Sequence, residues 1–108
     1  MSQLFVKTFG PKALSTNTSN VAVTASNQST SLGTLAGQKQ YNVRLVNNGT
    51  QVVFFNFTTG AGTAATGTDM PILPGTVEVF EIPATATYIN CIAGATGSTL
   101  YWTLGEGV

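Results

Sequence analysis

Reactive chemistry has few places to reside in this chain. There is one cysteine and no histidine, and four acids (Asp69, Glu78, Glu81, Glu106) are matched by four bases (Lys7, Lys12, Lys39, Arg44). General acid–base work needs titratable groups held within hydrogen-bond reach of one another. Glu78 and Glu81 lie three residues apart in a strand-like stretch, so their side chains leave opposite faces and form no local carboxylate pair. Asp69 or Glu106 could join one of them only as a weak oxygen site for a cation. Cys91 stands between Asn90 and Ile92 in an apolar run, which reads as a small buried hydrophobe. A nucleophilic thiolate would need a cation or an imidazole beside it. A lone thiol without histidine argues against zinc, and the many serines and threonines have no evident base to activate them. No catalytic residue, metal or cofactor is expected, and the chain is not expected to be an enzyme.

Two binding chemistries remain to be weighed. Gly60-Ala61-Gly62-Thr63-Ala64-Ala65 has the G-x-G-x-x-A spacing of a dinucleotide loop. That loop works only where a helix opens behind it to hold the pyrophosphate. Thr66-Gly67-Thr68-Asp69-Met70-Pro71 is poor helix material, so the stretch reads as a plain loop. Four scattered cations balanced by four anions give no basic face for phosphates, so nucleic acid is not an expected partner. The aromatics Phe54, Phe55, Phe57, Tyr101 and Trp102 could stack on sugars or bases, but they sit in strand patterns where a core role is the simpler reading.

The elements that must position these residues are strands. No window keeps apolar residues at helical spacing, and β-branched or aromatic runs alternate with Gly, Asn, Pro and Ser. Strands are predicted at Leu4–Phe9, Val21–Ala25, Ser31–Leu35, Gln40–Val46, Val52–Thr58, Thr76–Ile82, Tyr88–Ala93 and Ser98–Leu104. About eight short strands at this spacing predict an all-β fold, a single antiparallel β-sandwich or jelly roll. Residues 1–108 form one such domain, from which residues 1–20 can extend as an arm. Asn47-Asn48-Gly49-Thr50 and Ala95-Thr96-Gly97-Ser98 read as hairpin turns, and Pro74-Gly75 as the centre of a type II turn. Residues 15–30 and 60–68 read as polar surface excursions.

Alternation assigns faces. Tyr41, Val43 and Leu45 share one side against Asn42 and Arg44; Ile89, Cys91 and Ala93 share another, as do Leu100, Trp102 and Leu104. Val52-Val53-Phe54-Phe55-Asn56-Phe57 is apolar on both faces, so it is covered twice, by its own fold or by a partner. Phe55 and Phe57 are therefore candidate interface residues. Leu4, Phe5 and Phe9 are the same for the N-terminal segment, which is either an intersubunit arm or an edge strand.

Only 7% of the residues are charged, against about a quarter in ordinary soluble domains, and the net charge is zero. Self-repulsion is thus weak, which suits a module that lives inside an assembly. No stretch approaches the ~18 apolar residues of a membrane helix, and the N-terminus lacks the apolar core of a signal peptide, so no membrane association is expected.

A string in the C-terminal half has a recognisable form. Asp69-Met70-Pro71-Ile72-Leu73-Pro74-Gly75-Thr76-Val77-Glu78-Val79-Phe80 leads through Tyr88–Ala93 to the ending Gly97-Ser98-Thr99-Leu100-Tyr101-Trp102-Thr103-Leu104-Gly105-Glu106-Gly107. This resembles small virion proteins of tailed bacteriophages with a D-x-P-(L/I)-x-P-G-x-x-E-x-F stretch and a G-(S/T)-x-L-Y-x-T-x-G-E-G ending. Arg44–Thr50 is similar to their mid-chain hairpin. The ending departs from that pattern at Leu104, where relatives often carry proline. The resemblance covers residues 41–108 and implies a capsid decoration (cement) module, a small β-sandwich or jelly roll. It would be made in the host cytoplasm and seated on the outer surface of the head. The implied partners are the major capsid protein and further copies of the chain, as a dimer or trimer. A tail-associated or carbohydrate-binding adhesion module is the rival expectation.

Overall fold

A computed structural model of the chain describes residues 8–11, 18–32, 42–60, 66–83 and 85–106. Among these residues there are nine strands and no helix: β1 (Gly10–Pro11), β2 (Thr18–Val23), β3 (Gln28–Ser31), β4 (Asn42–Gly49), β5 (Val53–Thr58), β6 (Met70–Ile72), β7 (Val77–Glu81), β8 (Tyr88–Ala93) and β9 (Ser98–Glu106). One sheet runs β1-β9-β4-β7, with β2 beside β1 on the same flank of β9; the other runs β3-β8-β5-β6. All pairings are antiparallel.

The order has a simple origin. β5 pairs with β6, β4 with β7, β3 with β8 and β2 with β9, so three ribbons nest around the single β5–β6 hairpin. Rolling that long hairpin adds β4 to β9 and β5 to β8 and closes two sheets. This is the jelly-roll order of an all-β sandwich. From β2 onward the chain crosses from one sheet to the other at every connection except β5 to β6.

That crossing overturns two of the expected hairpins. Asn47–Thr50 and Ala95–Ser98 carry the chain between sheets rather than around a two-strand turn. Gly49 does not take the positive φ of a tight hairpin; the positive-φ glycines among the described residues are Gly75 and Gly97. Gly49 is needed for space instead. A Cβ there would run into the Gly97 carbonyl and the Ser98 Cα on β9. Pro74-Gly75 does form the expected type II turn: Gly75 has φ +74°, and the Thr76 amide donates to the Leu73 carbonyl at 3.2 Å.

The expected faces meet in the core. Val43, Leu45, Leu100, Trp102 and Leu104 from one sheet are buried against Val53, Phe55, Ile72, Ile89, Cys91 and Ala93 from the other. Full burial of one such Leu or Ile contributes about 1.5–3 kcal/mol. Phe55 is a correction. Its ring is 3% exposed and sits edge-on to Phe57 (centroids 5.6 Å apart) and Phe80 (5.0 Å), so it is a core residue rather than an interface anchor.

Elsewhere the elements shift. β3, Gln28–Ser31, meets the strand expected at Ser31–Leu35 only at Ser31, and residues 33–35 lie outside the described residues. The strand expected at Val21–Ala25 is β2, Thr18–Val23, which occupies part of the stretch 15–30 read as a surface excursion. β6 was not expected. Of the predicted strand Leu4–Phe9, residues 4–7 lie outside the described residues, and Thr8 and Phe9 lead into β1.

Candidate interaction surface

Asn47 organises the side of the sandwich where β6 crosses to β7. Its side chain is wholly buried, and Nδ2 donates to the carbonyls of Gln51 (2.8 Å) and Ile72 (2.9 Å). Its backbone carbonyl accepts from Gly75 N at 2.8 Å, and its own amide donates to Thr76 O at 3.0 Å. One residue at the end of β4 thus grips both the β4–β5 crossing and the β6–β7 turn. The Ser98 hydroxyl holds Gln51 from the β9 side, donating to its carbonyl and accepting from its amide, both at 2.9 Å. A crossover pinned at so many backbone atoms is a rigid platform for the side chains it carries.

Those side chains are apolar and turned to solvent. Met70 (55% exposed), Leu73 (54%) and Val77 (47%) are the exposed large hydrophobics among the described residues, and all three fall in the one segment 70–77. Pairing register places Val77 on the outer face of the first sheet, opposite Val46, which lies opposite Tyr101, while Met70 lies opposite Phe55 at the edge of the second sheet. Val46 and Tyr101 are half-buried. Exposed apolar side chains concentrated in one short segment point to an interaction site, whereas scattered exposed hydrophobics are ordinary.

Both strands on this flank resist pairing with another strand. β6 carries Pro71, which has no amide hydrogen to offer. On β7, Glu78 shares the inward-facing parity of Phe80, and an inward charge on an edge strand blocks a neighbouring sheet. What this flank offers to solvent is therefore side chains rather than a free strand edge.

A second polar cluster lies on the outer face of the other sheet. Asn90 is completely buried, and its Nδ2 donates to Asn56 Oδ1 (2.7 Å) and Thr58 Oγ1 (2.9 Å). Asn56 Nδ2 donates to Asp69 Oδ2 at 3.2 Å, and the same carboxylate oxygen accepts from Thr66 N at 2.7 Å. Asp69 thereby anchors the segment that enters β6. Among the described residues no group of three or more His, Cys, Asp or Glu is placed to hold a metal ion.

The residues singled out in the sequence fall in different places. Leu4 and Phe5 lie outside the described residues. Phe9 is half-buried, its ring over Gly105, where a Cβ would strike both the ring and the Gly10 carbonyl. Phe57 is half-buried and packs against the core. Trp102 is 2% exposed, so it is a core residue rather than a stacking platform. Cys91 is fully buried, and burial pushes its thiol up to about 12, which keeps it protonated and unreactive. Scans against protein-family models, curated proteins and solved structures return no match for this chain.

Proposed function

We propose that the chain is a structural protein of a tailed-phage virion, a capsid decoration or cement module. In this reading it sits on the outer surface of the head and binds the major capsid protein through the ridge formed by Met70, Leu73 and Val77. One observation carries the proposal. The stretch on which the resemblance chiefly rests, Asp69–Phe80, is the same stretch that presents those three exposed apolar side chains on a rigid crossover. Low charge favours such a role, because few ions need to be desolvated when the surface is covered. Stabilisation would follow by mass action: a module that binds the assembled shell and not its separate subunits shifts the balance toward the shell at every site it fills.

Quantitative mass spectrometry of purified virions tests the placement. The proposal expects a copy number on the scale of the shell's subunits. A copy number on the scale of a tail structure, with binding to host polysaccharide, would replace it with the adhesion reading.

A further inference from the structure

The flank opposite the ridge has the reverse design. Here β2 is the outermost described strand of one sheet and β3 of the other, and they are joined directly through residues 24–27. Open strand edges invite pairing with other chains, and proteins normally blunt them with charge, proline or a bulge. Residues 18–32 (TSNVAVTASNQSTSL) contain no charged residue and no proline. β2 offers six residues in regular register with β9, from Thr18 opposite Thr103 to Val23 opposite Ser98, with no bulge. Ser19, Asn20 and Ala22 are exposed on it. Among the described residues the β6–β7 flank thus carries Pro71 and Glu78 as guards, and β2 carries no such residue.

We propose that β2 is a self-association edge, which pairs antiparallel with β2 of a second copy across a two-fold axis. A second copy is favoured over other occupants by charge. In a two-fold contact each edge meets itself, so any charge on it faces its own like. β7, with Glu78 and Glu81, would repel itself; β2 does not. Facing must also be kept, since inner residues can pair only with inner ones. A two-fold at Asn20 sets Ser19 opposite Val21, and one at Val21 sets Asn20 opposite Ala22 and Ser19 opposite Val23. Every pair in either register is neutral and compatible. The product is one continuous sheet running β7-β4-β9-β2 into β2-β9-β4-β7 of the second copy. The ridge is left free on both outer flanks.

The test uses the purified chain, so its failure leaves the shell proposal standing. Sedimentation velocity over a concentration series should show a monomer–dimer equilibrium. The double variant Asn20→Lys/Ala22→Lys should weaken it roughly tenfold or more, because like charges set opposite one another repel. Val77→Lys, on the other flank, should leave it unchanged. Hydrogen exchange of the unmodified chain supplies the second readout: amides of β2 should gain protection as concentration rises, and those of β7 should not. A chain that stays monomeric throughout overturns the proposal. So does a dimer indifferent to the lysines, or concentration-dependent protection that appears on β7 instead. If the lysine variant fails to fold, the exchange experiment decides alone.

Discussion

Replacing Asn47 by aspartate keeps the shape of the side chain and exchanges its two donors for lone pairs. Nδ2 faces two carbonyl oxygens, those of Gln51 and Ile72, which fixes which way round the amide must sit. Two buried hydrogen bonds are lost at about 1 kcal/mol each. Two oxygen–oxygen contacts and an ion in a site without exposed surface add to that, for a total of about 3–5 kcal/mol at neutral pH. Asn47→Ala loses the bonds without the repulsion and should cost about 2–3 kcal/mol. Asn48→Asp next door is exposed and should stay within ~0.5 kcal/mol. Urea unfolding followed by the fluorescence of the single, buried Trp102 reads all three. The aspartate also predicts a pH dependence of definite sign. Burial against carbonyls raises its folded-state pKa above the unfolded value of about 3.9. The deficit should therefore be smallest below that value and deepen as pH rises through the folded pKa. An Asn47→Asp variant as stable as the parent at neutral pH would refute the clamp.

Cys91 should react with a thiol reagent only after denaturant is added, since it is fully buried; rapid labelling of the native chain would show its face misassigned. Because its folded thiol titrates near 12, the unfolded chain releases this proton first. The stability it contributes is complete below the unfolded thiol pKa and is lost as pH rises toward 12. The parent should accordingly lose stability with alkali more steeply than Cys91→Ala, by about 1.4 kcal/mol per pH unit in that window; equal slopes would contradict the burial argument. Gly75→Ala meets no atom and suffers only its positive φ, at about 1–2 kcal/mol, whereas Gly49→Ala drives a Cβ into the backbone of β9. Gly49→Ala should be the more damaging in urea midpoints, and the opposite order would remove the close-approach account of Gly49.

What could be read from the sequence was mainly local. Alternation gave the correct faces for Val43 and Leu45, for Ile89, Cys91 and Ala93, and for Leu100, Trp102 and Leu104, because side-chain parity is a property of each strand alone. The Pro74-Gly75 turn was legible for the same reason. Asn48-Gly49 misled, since a turn-forming pair says nothing about whether the next strand joins the same sheet. In this topology it joins the other one. β3 and much of β2 are too polar to stand out from loops, which is a consequence of their lying at an edge with water on one side. β6, three residues with a proline at its centre, carries almost no strand signal. Phe55 was left open between core and partner because its strand is apolar on both faces. Only the placement of Cys91 and Met70 opposite it, with Phe80 from the other sheet, settles its side. Met70, Leu73 and Val77 show no period, so their shared exposure could not be read from the sequence.

The central claim, that the Met70–Val77 ridge docks on an assembled shell, meets its most direct test in rebinding to heads that lack the protein. Purified chain should bind bare heads saturably and raise their resistance to heat. Because the ridge is apolar, binding should change little between low and high salt, unlike attachment through ion pairs or phosphates. Leu73→Asp and Val77→Asp, both at exposed positions, should abolish binding while leaving the urea midpoint near that of the parent. Saturable, salt-indifferent binding that these two substitutions remove is the predicted result. Failure to bind bare heads, or binding that survives both substitutions, would contradict it.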